Sequence, residues 1–599
     1  MSATLLDSPR AFLDVQRSIL GRPWRDRCAD AATQAYAATM TQAHGLPDLL
    51  ARVLAARGIR PGEAEAYLRP RLRELMPDPA CLLDMEAAAE RLARAVETRE
   101  TVAIFGDYDV DGAASAALLA GHLRALDVPV HVHIPDRITE GYGPNVAAVT
   151  ALAGEGATLL VTVDCGTAGH EPLAHAAALG LDTIVLDHHG APEALPIARA
   201  IVNPNRLDDL SGLGHLCAAG VVFLTLVALN RRLRARGRLD LPELTGALDL
   251  VALATVADVV PLVGLNRAFV VQGLTVMRAR GRKGLAALLD AASLSEPPEA
   301  WHLGYLVGPR INAGGRIGDA ALGARLLGTE DPAEAARIAA ELDRLNRERQ
   351  VIEAEAVAEA EAAMDRELAG DPDRPVLVAG SGDWHPGIVG LIAARLKERF
   401  RRPAFAFALR PDGSAVGSGR SIPGADIGRA VREAVAAGLI AKGGGHAMAA
   451  GATLAGIDLA RFGEDMAHRL ADDVARATAV EALLIDGTVN AGGATAEMVR
   501  LIQRAGPFGQ GAPEPVFALP RHRIADARIV GNGHVSAKLR SRDGQVLAAI
   551  AFRSAEGPVG RALLSGIGRD FHVAGTLSCD SWRGSERAQL RIGDLAPCD

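Results

Sequence analysis

Lysine is almost missing from this chain of 599 residues: Lys283, Lys397, Lys442 and Lys538 are all there are. Arginine carries the rest of the positive charge, a bias that codon composition alone can produce, so it assigns no function. Cysteine is scarce too. Cys28, Cys81, Cys165, Cys217, Cys579 and Cys598 are scattered without a Cys-x-x-Cys, which argues against a disulfide framework and against a structural zinc site. No apolar run reaches the length of a membrane span. The opening residues, MSATLLDSPR, lack the basic and then apolar pattern of a signal peptide. A cytoplasmic protein without a membrane partner is expected. Positive charge is in deficit, 64 Lys and Arg against 72 Asp and Glu, for a net charge of −8. That counts only weakly against a nucleic-acid partner, because carboxylates gathered in one site can hide a basic groove elsewhere. The apolar share of 49% and charged share of 23% are ordinary for a globular protein, and the length calls for three or four domains.

What is present is organised around Val102–Leu119, VAIFGDYDVDGAASAALL. The apolar run Thr101–Phe105 is short enough for a buried strand. It breaks at Gly106 and delivers Asp107, Asp109 and Asp111 at alternate positions. Gly112 and a run of small residues then read as the first turns of a helix. Such a junction lies at the carboxyl edge of a parallel sheet, where open α/β folds place their ligands. Three carboxylates in five residues repel one another unless they face water or hold a cation, and hard oxygen ligands suit Mg²⁺ or Mn²⁺. An Asp-x-Asp alone reads better as an acidic surface turn; its place between a buried strand and a helix brings the ligand reading level with it.

Residues 1–100 read as a helical segment, with helical spacing in 47–58, 62–75 and 85–97. From 101 to about 329, strands alternate with helices, giving a mostly parallel sheet with strands at 101–105, 130–134, 158–163, 183–186 and 200–202. Two more of these strands run into ligand-type residues: 158–163 ends at Asp164, and 183–186 at Asp187, His188 and His189. Asp258 closes a later apolar helix. In one sheet these strand ends face one crevice. A two-metal site needs a bridging carboxylate and about two further ligands for each ion. Asp164 would bridge, with Asp109 and Asp111 serving from the first loop and His188 and Asp258 from the others. Hydrolysis of a phosphodiester is the reaction such a site suits.

The segment Gly308-Pro-Arg310-Ile-Asn312-Ala-Gly-Gly-Arg316 sets three polar donors among Gly and Pro and reads as an anion-binding loop. Residues 330–369 read as one long connecting helix, and 370–479 as a second α/β unit. Its runs Gly417-Ser418-Gly419-Arg420-Ser421 and Lys442-Gly-Gly-Gly-His446 read as Gly-rich loops able to cradle phosphate. From 480 to 599 short β-like runs suggest a five-stranded barrel of the OB type, with Phe508, Phe517, Phe552, Phe571 and Trp582 as aromatics from which stacking platforms could come.

These blocks resemble those of the DHH phosphoesterases: Asp-Tyr-Asp-Val-Asp-Gly, Val-Asp-Cys-Gly, Asp187-His188-His189 and Ala-Asp258-Val-Val-Pro. Within that superfamily they are most similar to the RecJ family of bacterial single-strand-specific 5′→3′ DNA exonucleases. Arg137-Ile-Thr-Glu140-Gly-Tyr-Gly143, the 308–316 block and Pro507-Phe-Gly-Gln-Gly-Ala-Pro-Glu-Pro-Val-Phe517 carry that closer likeness. The resemblance implies an α/β DHH catalytic domain, a connecting helix, a DHH-associated domain and an OB barrel. It implies two Mn²⁺ or Mg²⁺ ions on Asp109, Asp111, Asp164, His188 and Asp258, with Asp107 either a ligand or a group that orients one. His189 corresponds to a contact to the scissile phosphate, beside Asp187. Arg137, Ser418 and Arg420 correspond to a 5′-end pocket, and His446 to a residue facing the cleft. The substrate implied is single-stranded DNA, cut to 5′-mononucleotides in recombination and repair by a monomer that works with single-strand-binding protein and a helicase. Two rivals remain at this point. One is a DHH phosphodiesterase acting on oligoribonucleotides or cyclic dinucleotides, which has no need of a strand-binding barrel. The other is a non-catalytic DHH replication scaffold, which would lack ligand positions that are all present here.

Overall fold

A computed structural model describes residues 11–456, 458–477, 482–582 and 585–598. The chain forms two compact units, one of Leu75–Ala479 and one of Met1–Glu74 with Val480–Asp599.

The larger unit holds two sheets. In the first, β1 (Val102–Gly106), β2 (Val130–His133), β3 (Leu159–Val163), β4 (Asp182–Leu186) and β5 (Ala200–Val202) are all parallel, in the order β2-β1-β3-β4-β5. Strands β1 and β3 are buried along their whole length, which is why both read as unbroken apolar runs. The chain leaves β1 for β2 on one side and returns to β3 on the other. The carboxyl ends of β1 and β3 therefore flank the crevice where an open α/β sheet binds its ligand. Around this sheet lie α1 (Val110–Ala125), α2 (Leu248–Ala257) and α3 (Gly308–Ile317).

The long helix α4 (Pro332–Gly370) has 39 residues, a span of about 58 Å. Asp331 caps it, accepting a hydrogen bond from Ala333 N at 2.9 Å, and Pro332 opens its first turn. Ala356, Ala360 and Met364 of its second half enter the core of the second sheet beside Leu377, Ile388 and Ile392. That sheet comprises β6 (Leu377–Ser381), β7 (Ala404–Leu409), β8 (Ala415–Arg420), β9 (Lys442–His446) and β10 (Ala449–Leu454), in the order β9-β10-β8-β7-β6.

The two Gly-rich runs are thus strands, not loops. Gly417 and Gly419 sit opposite Phe407 and Phe405 of β7. A Cβ at either would lie 2.3 or 2.4 Å from those rings. The glycines make room for aromatic side chains on the neighbouring strand. The 308–316 segment is also regular structure, the helix α3. Its glycines admit neighbours as well: a Cβ on Gly315 would lie 2.6 Å from Tyr108 O.

In the smaller unit, strands Phe517–Val530, His534–Arg540, Val546–Ala551, Asp570–Trp582 and Ser585–Pro597 close into a five-stranded barrel, sealed where the first pairs with the fourth. The N-terminal helices Ala31–His44 and Asp48–Ala55 share its core, with Met40, Leu50 and Leu54 beside Phe517, Leu539 and Leu563. The short strand Trp24–Asp26 pairs in parallel with Leu483–Ile485. The first hundred residues are therefore not one segment. Those up to Glu74 belong with the barrel, and the helix Met85–Thr98 belongs to the larger unit. The stretch MSATLLDSPR and the side chain of Trp582 lie outside the described residues. Phe508 is half-buried, Phe517 and Phe571 are in the barrel core, and Phe552 is exposed. No helix among the described residues is long and apolar enough to cross a membrane.

Candidate metal centre

The carboxyl ends of β1, β3, β4 and β5 deliver polar groups to one crevice. After β1, Asp109 caps α1: its Oδ1 accepts from Asp111 N at 2.9 Å and Gly112 N at 3.1 Å. Gly112 is required here, since a Cβ would fall 2.3 Å from Asp107 O. Asp111 is buried and points at the start of the helix Ala218–Ala235. Its two oxygens accept from Ala218 N at 2.7 Å and Ala219 N at 2.8 Å, so backbone amides and a helix N-terminus hold its negative charge. After β3, Asp164 takes φ +61°, a conformation that aspartate tolerates better than most residues. After β4, Asp187 organises its successors. Its Oδ1 accepts from the backbone N–H of His188 at 2.8 Å and of His189 at 3.1 Å, and from His189 Nδ1 at 2.8 Å; its Oδ2 accepts from Thr167 N at 3.1 Å. Asp258 follows the last turn of α2.

These groups converge. His188 Nε2 lies 3.3 Å from Asp164 Oδ1, 3.6 Å from Asp258 Oδ2 and 3.7 Å from Asp111 Oδ2. Ligand-type atoms of Asp107, Asp109 and Asp164 lie within 4.8 Å of one another, as do those of Asp111, His188 and Asp258, and those of Asp164, His188 and His189. Asp164 and His188 thus link the sets. Asp107 Oδ1, Asp164 Oδ1 and His188 Nε2 are buried without a hydrogen-bond partner, a costly state for isolated polar atoms. Burial, and then the neighbouring carboxylates, push Asp107, Asp111, Asp164 and Asp258 above the usual carboxylate range. Orphaned oxygens, mutual repulsion and one imidazole among carboxylates are what a site for hard divalent cations offers. The residues fit Mn²⁺ or Mg²⁺, and two ligand sets fit two ions. Asp187 is different. Burial alone would raise it, but the hydrogen bond and charge of His189 bring it below the usual range. His189, which burial would lower, is raised by the same bond to about 9.

Next to the carboxylates is a second cluster, of opposite sign: Arg137 packs on Tyr108 of the 107–111 loop, Arg316 lies in the last turn of α3, and Arg420 ends β8 of the second sheet. The Arg137 guanidinium lies 4.8 Å from the Tyr108 ring centroid. Arg420 donates to Ser418 Oγ at 2.7 Å and Gly419 O at 2.8 Å, and Arg316 donates to Gly387 O at 3.0 Å. None of these partners is a carboxylate. Burial, then Arg137, Arg420 and Arg349, pull Arg316 down to about 9; burial and Arg137 lower Arg420. Cations forced this close form a ready anion site. His446 stacks towards His189, with ring centroids 6.1 Å apart and 22° between planes. Beside it opens a cleft of about 1150 Å³ lined by Tyr142, His189, Arg432, Lys442 and His446 among others.

Two residues of α3 do something other than expected from a loop. Arg310 is engaged by Asp343 at 3.0 Å and the Leu306 carbonyl at 2.8 Å. Asn312 Oδ1 accepts from Val110 N at 3.1 Å, so it steadies the β1–α1 loop. Sequence reasoning missed several supports of the centre. Tyr142 OH donates to Asp164 O at 3.2 Å and lies 3.1 Å from His189 Nδ1. Asn203 Nδ2 donates to His189 O at 2.8 Å and Thr167 Oγ1 at 2.9 Å, and Asn205 donates to His188 O. The signal for the asparagines was there: Asn203-Pro-Asn205 directly follows the apolar run of β5.

Family models match three segments: the DHH family, N-terminal domain, over residues 101–255; the DHHA1 domain over 373–472; and the RecJ OB domain over 485–594. The single-stranded-DNA-specific exonuclease RecJ of Escherichia coli (strain K12) is 37% identical over 569 residues, which cover 92% of this chain and 96% of that one. The chain belongs to the RecJ family. The RecJ of Bacillus subtilis (strain 168) is 33% identical over 571 residues, covering 93% of this chain and 69% of its own. A crystal structure of RecJ from Thermus thermophilus in complex with Mn²⁺ matches with a TM-score of 0.76 and 30% identity, over 94% of this chain and 78% of that one. The same protein in complex with Mg²⁺ matches with a TM-score of 0.72 and 28% identity, over 94% and 77%. The cations in those relatives are the two that the ligand chemistry here suits.

Proposed function

We propose that this protein is a metal-dependent exonuclease that hydrolyses single-stranded DNA from the 5′ end, releasing 5′-mononucleotides in recombination and repair. The observation that carries the reading is the juxtaposition of a buried carboxylate cluster with an arginine cluster in which the hydrogen bonds of Arg316 and Arg420, among the described residues, go to no carboxylate.

Asp109, Asp111, Asp164, His188 and Asp258 would hold the two Mn²⁺ or Mg²⁺ ions, joined by Asp107, a member of the first ligand set whose Oδ1 is buried without a hydrogen-bond partner. When bound, such a pair lowers the pKa of a water and takes up charge developing on the phosphate. Asp187 holds His189 by Nδ1, so the other edge of the imidazole is free to contact the scissile phosphate. The amides of Ala218 and Ala219 keep Asp111 in place, and Asn312 keeps the loop that carries Asp109. Arg137, Arg316, Ser418 and Arg420 take the terminal 5′ phosphate, fixing its distance from the cut and so the size of the product. His446 faces the strand opposite His189. Arg310 acts through Asp343 to fix the start of α3 rather than through direct contact. A cleft fitted to one strand excludes a duplex by size, and the barrel supplies further single-strand contacts. The protein works in the cytoplasm as a monomer, on strands that a helicase opens and single-strand-binding protein covers.

The test is digestion of one single-stranded DNA labelled at either end, with Mn²⁺ and then with EDTA. Early release of labelled mononucleotide from the 5′ end alone, abolished by EDTA, is expected. Release from the 3′ end would overturn the arginine pocket, and no cleavage with either metal would overturn the nuclease reading.

A further inference from the structure

Aromatic residues make up 4% of the chain, and most are buried or half-buried. Among the described residues the exposed ones are Tyr142, Trp301, Tyr305 and Phe552, with Tyr305 the most open at 78%. Trp301 and Tyr305 stand four residues apart on one continuous helical stretch, which includes the π-helical turn Leu303–Val307. Such turns gather at functional sites. This one lies on the last turn of α2. A Cβ at Gly304 would lie 3.5 Å from Val256 Cγ1, and one at Gly308 would lie 3.3 Å from Ala257 Cβ. The next residue along α2 is Asp258. After it comes Val259, 64% exposed and at φ +60°, a strained conformation for a β-branched side chain. Trp301 Nε1 is held by Glu299 at 3.2 Å, and its ring rests on His302, with centroids 3.8 Å apart.

Helix α3 runs past the 107–111 loop. It starts at Gly308, beside Val110 and Ala257, and reaches Gly315 and Arg316 beside Tyr108 and Gly387. Its 10 residues span about 15 Å. Tyr305 and Arg316 therefore stand at opposite ends of one rod, with the 107–111 loop alongside. If the 5′ phosphate is at Arg316, the strand leaves the metal centre towards Tyr305. Aromatic faces accept any base, as an enzyme without sequence preference requires.

We infer that Tyr305, on the π-helical turn packed against the end of α2, is a stacking platform for a base on the 3′ side of the scissile phosphate. The inference rests on the proposed reading of the cleft as a nuclease site. It makes Tyr305 a positioning residue for the incoming strand.

The test uses the full chain with Mn²⁺ and a 5′-phosphorylated 20-mer, intact or with one abasic residue walked through positions 2 to 6. Tyr305→Ala should raise KM on the intact strand about tenfold, with kcat and the melting temperature unchanged, and Tyr305→Phe should behave as wild type. At one abasic position the wild-type KM should rise to that of the alanine variant and the difference should vanish. Equal KM values for wild type and Tyr305→Ala on the intact strand would overturn the platform. So would a loss that persists at every abasic position, which would assign this face to a protein partner or to the fold. Wild-type protein that cuts no strand at all would overturn the nuclease reading itself, and the platform with it.

Discussion

The two sheets of the larger unit present their charged residues differently. In the parallel sheet β1 and β3 are buried along their whole length, and the ligand-type groups sit at strand ends. There Asp107, Asp109, Asp111, Asp164, Asp187, His188 and His189 gather in one crevice. The second sheet is mixed, and its strand β8 alternates. Gly417 and Gly419 face the phenylalanines of β7, while Ser418 and Arg420 use the other face. The first arrangement concentrates charge that its own amides cannot fully balance. The second presents fewer charges from a rigid, well-packed face. An acidic crevice asks for cations and an arginine face asks for an anion, and a phosphodiester chain with bound metal answers both.

The largest loss is expected at Asp164. Asp164→Asn should lower kcat by about 10³-fold or more, because it removes a charge of the first ligand set that also lies 3.3 Å from His188 of the second. The same variant, free of metal, should melt above wild type, since a buried, repelled carboxylate is gone. Steady-state kinetics and calorimetry check the two halves; a variant that lost stability along with activity would mean that Asp164 serves the fold. On the arginine side the loss should be smaller and of another kind. Arg420→Ala should raise KM about 10- to 100-fold for a strand with a 5′ phosphate and change little for one with a 5′ hydroxyl. Equal losses on both strands would remove the phosphate from this pocket. A third variant probes the supports. Asn203→Ala frees the carbonyl of His189 and should cost about tenfold in activity or Mn²⁺ affinity, read by metal titration. The smallest effect on chemistry should come from Gly419→Ala. Its Cβ would press on Phe405 and cost about 1–3 kcal/mol of stability, with KM shifting only as Arg420 is displaced. A melting curve identical to wild type would show that β7 yields.

The same contrast explains what could be read from the chain. Strand ends are legible: an apolar run that stops at Asp is a local pattern, and every ligand-type residue named from it lies in the crevice. The strand face was not legible. Gly-Ser-Gly-Arg looks like a loop until Phe405 and Phe407 are seen to need the space, and those lie on another strand. The 308–316 segment misled in the same way. Glycines that let α3 approach Tyr108 look like breaks, and only the fold reveals that Arg310 is taken by Asp343 and Asn312 by Val110. The join of Trp24–Asp26 with Leu483–Ile485 links segments more than 450 positions apart, which no periodicity could announce. The barrel could be foreseen because its short alternating runs are local; the N-terminal helices that complete its core could not.

The central claim is that one crevice holds two cations. Crystals soaked in Mn²⁺ and measured at the manganese edge test it directly. Two anomalous peaks per chain are expected, one against Asp107, Asp109 and Asp164 and one against Asp111, His188 and Asp258. A single peak, or peaks away from these side chains, would contradict it.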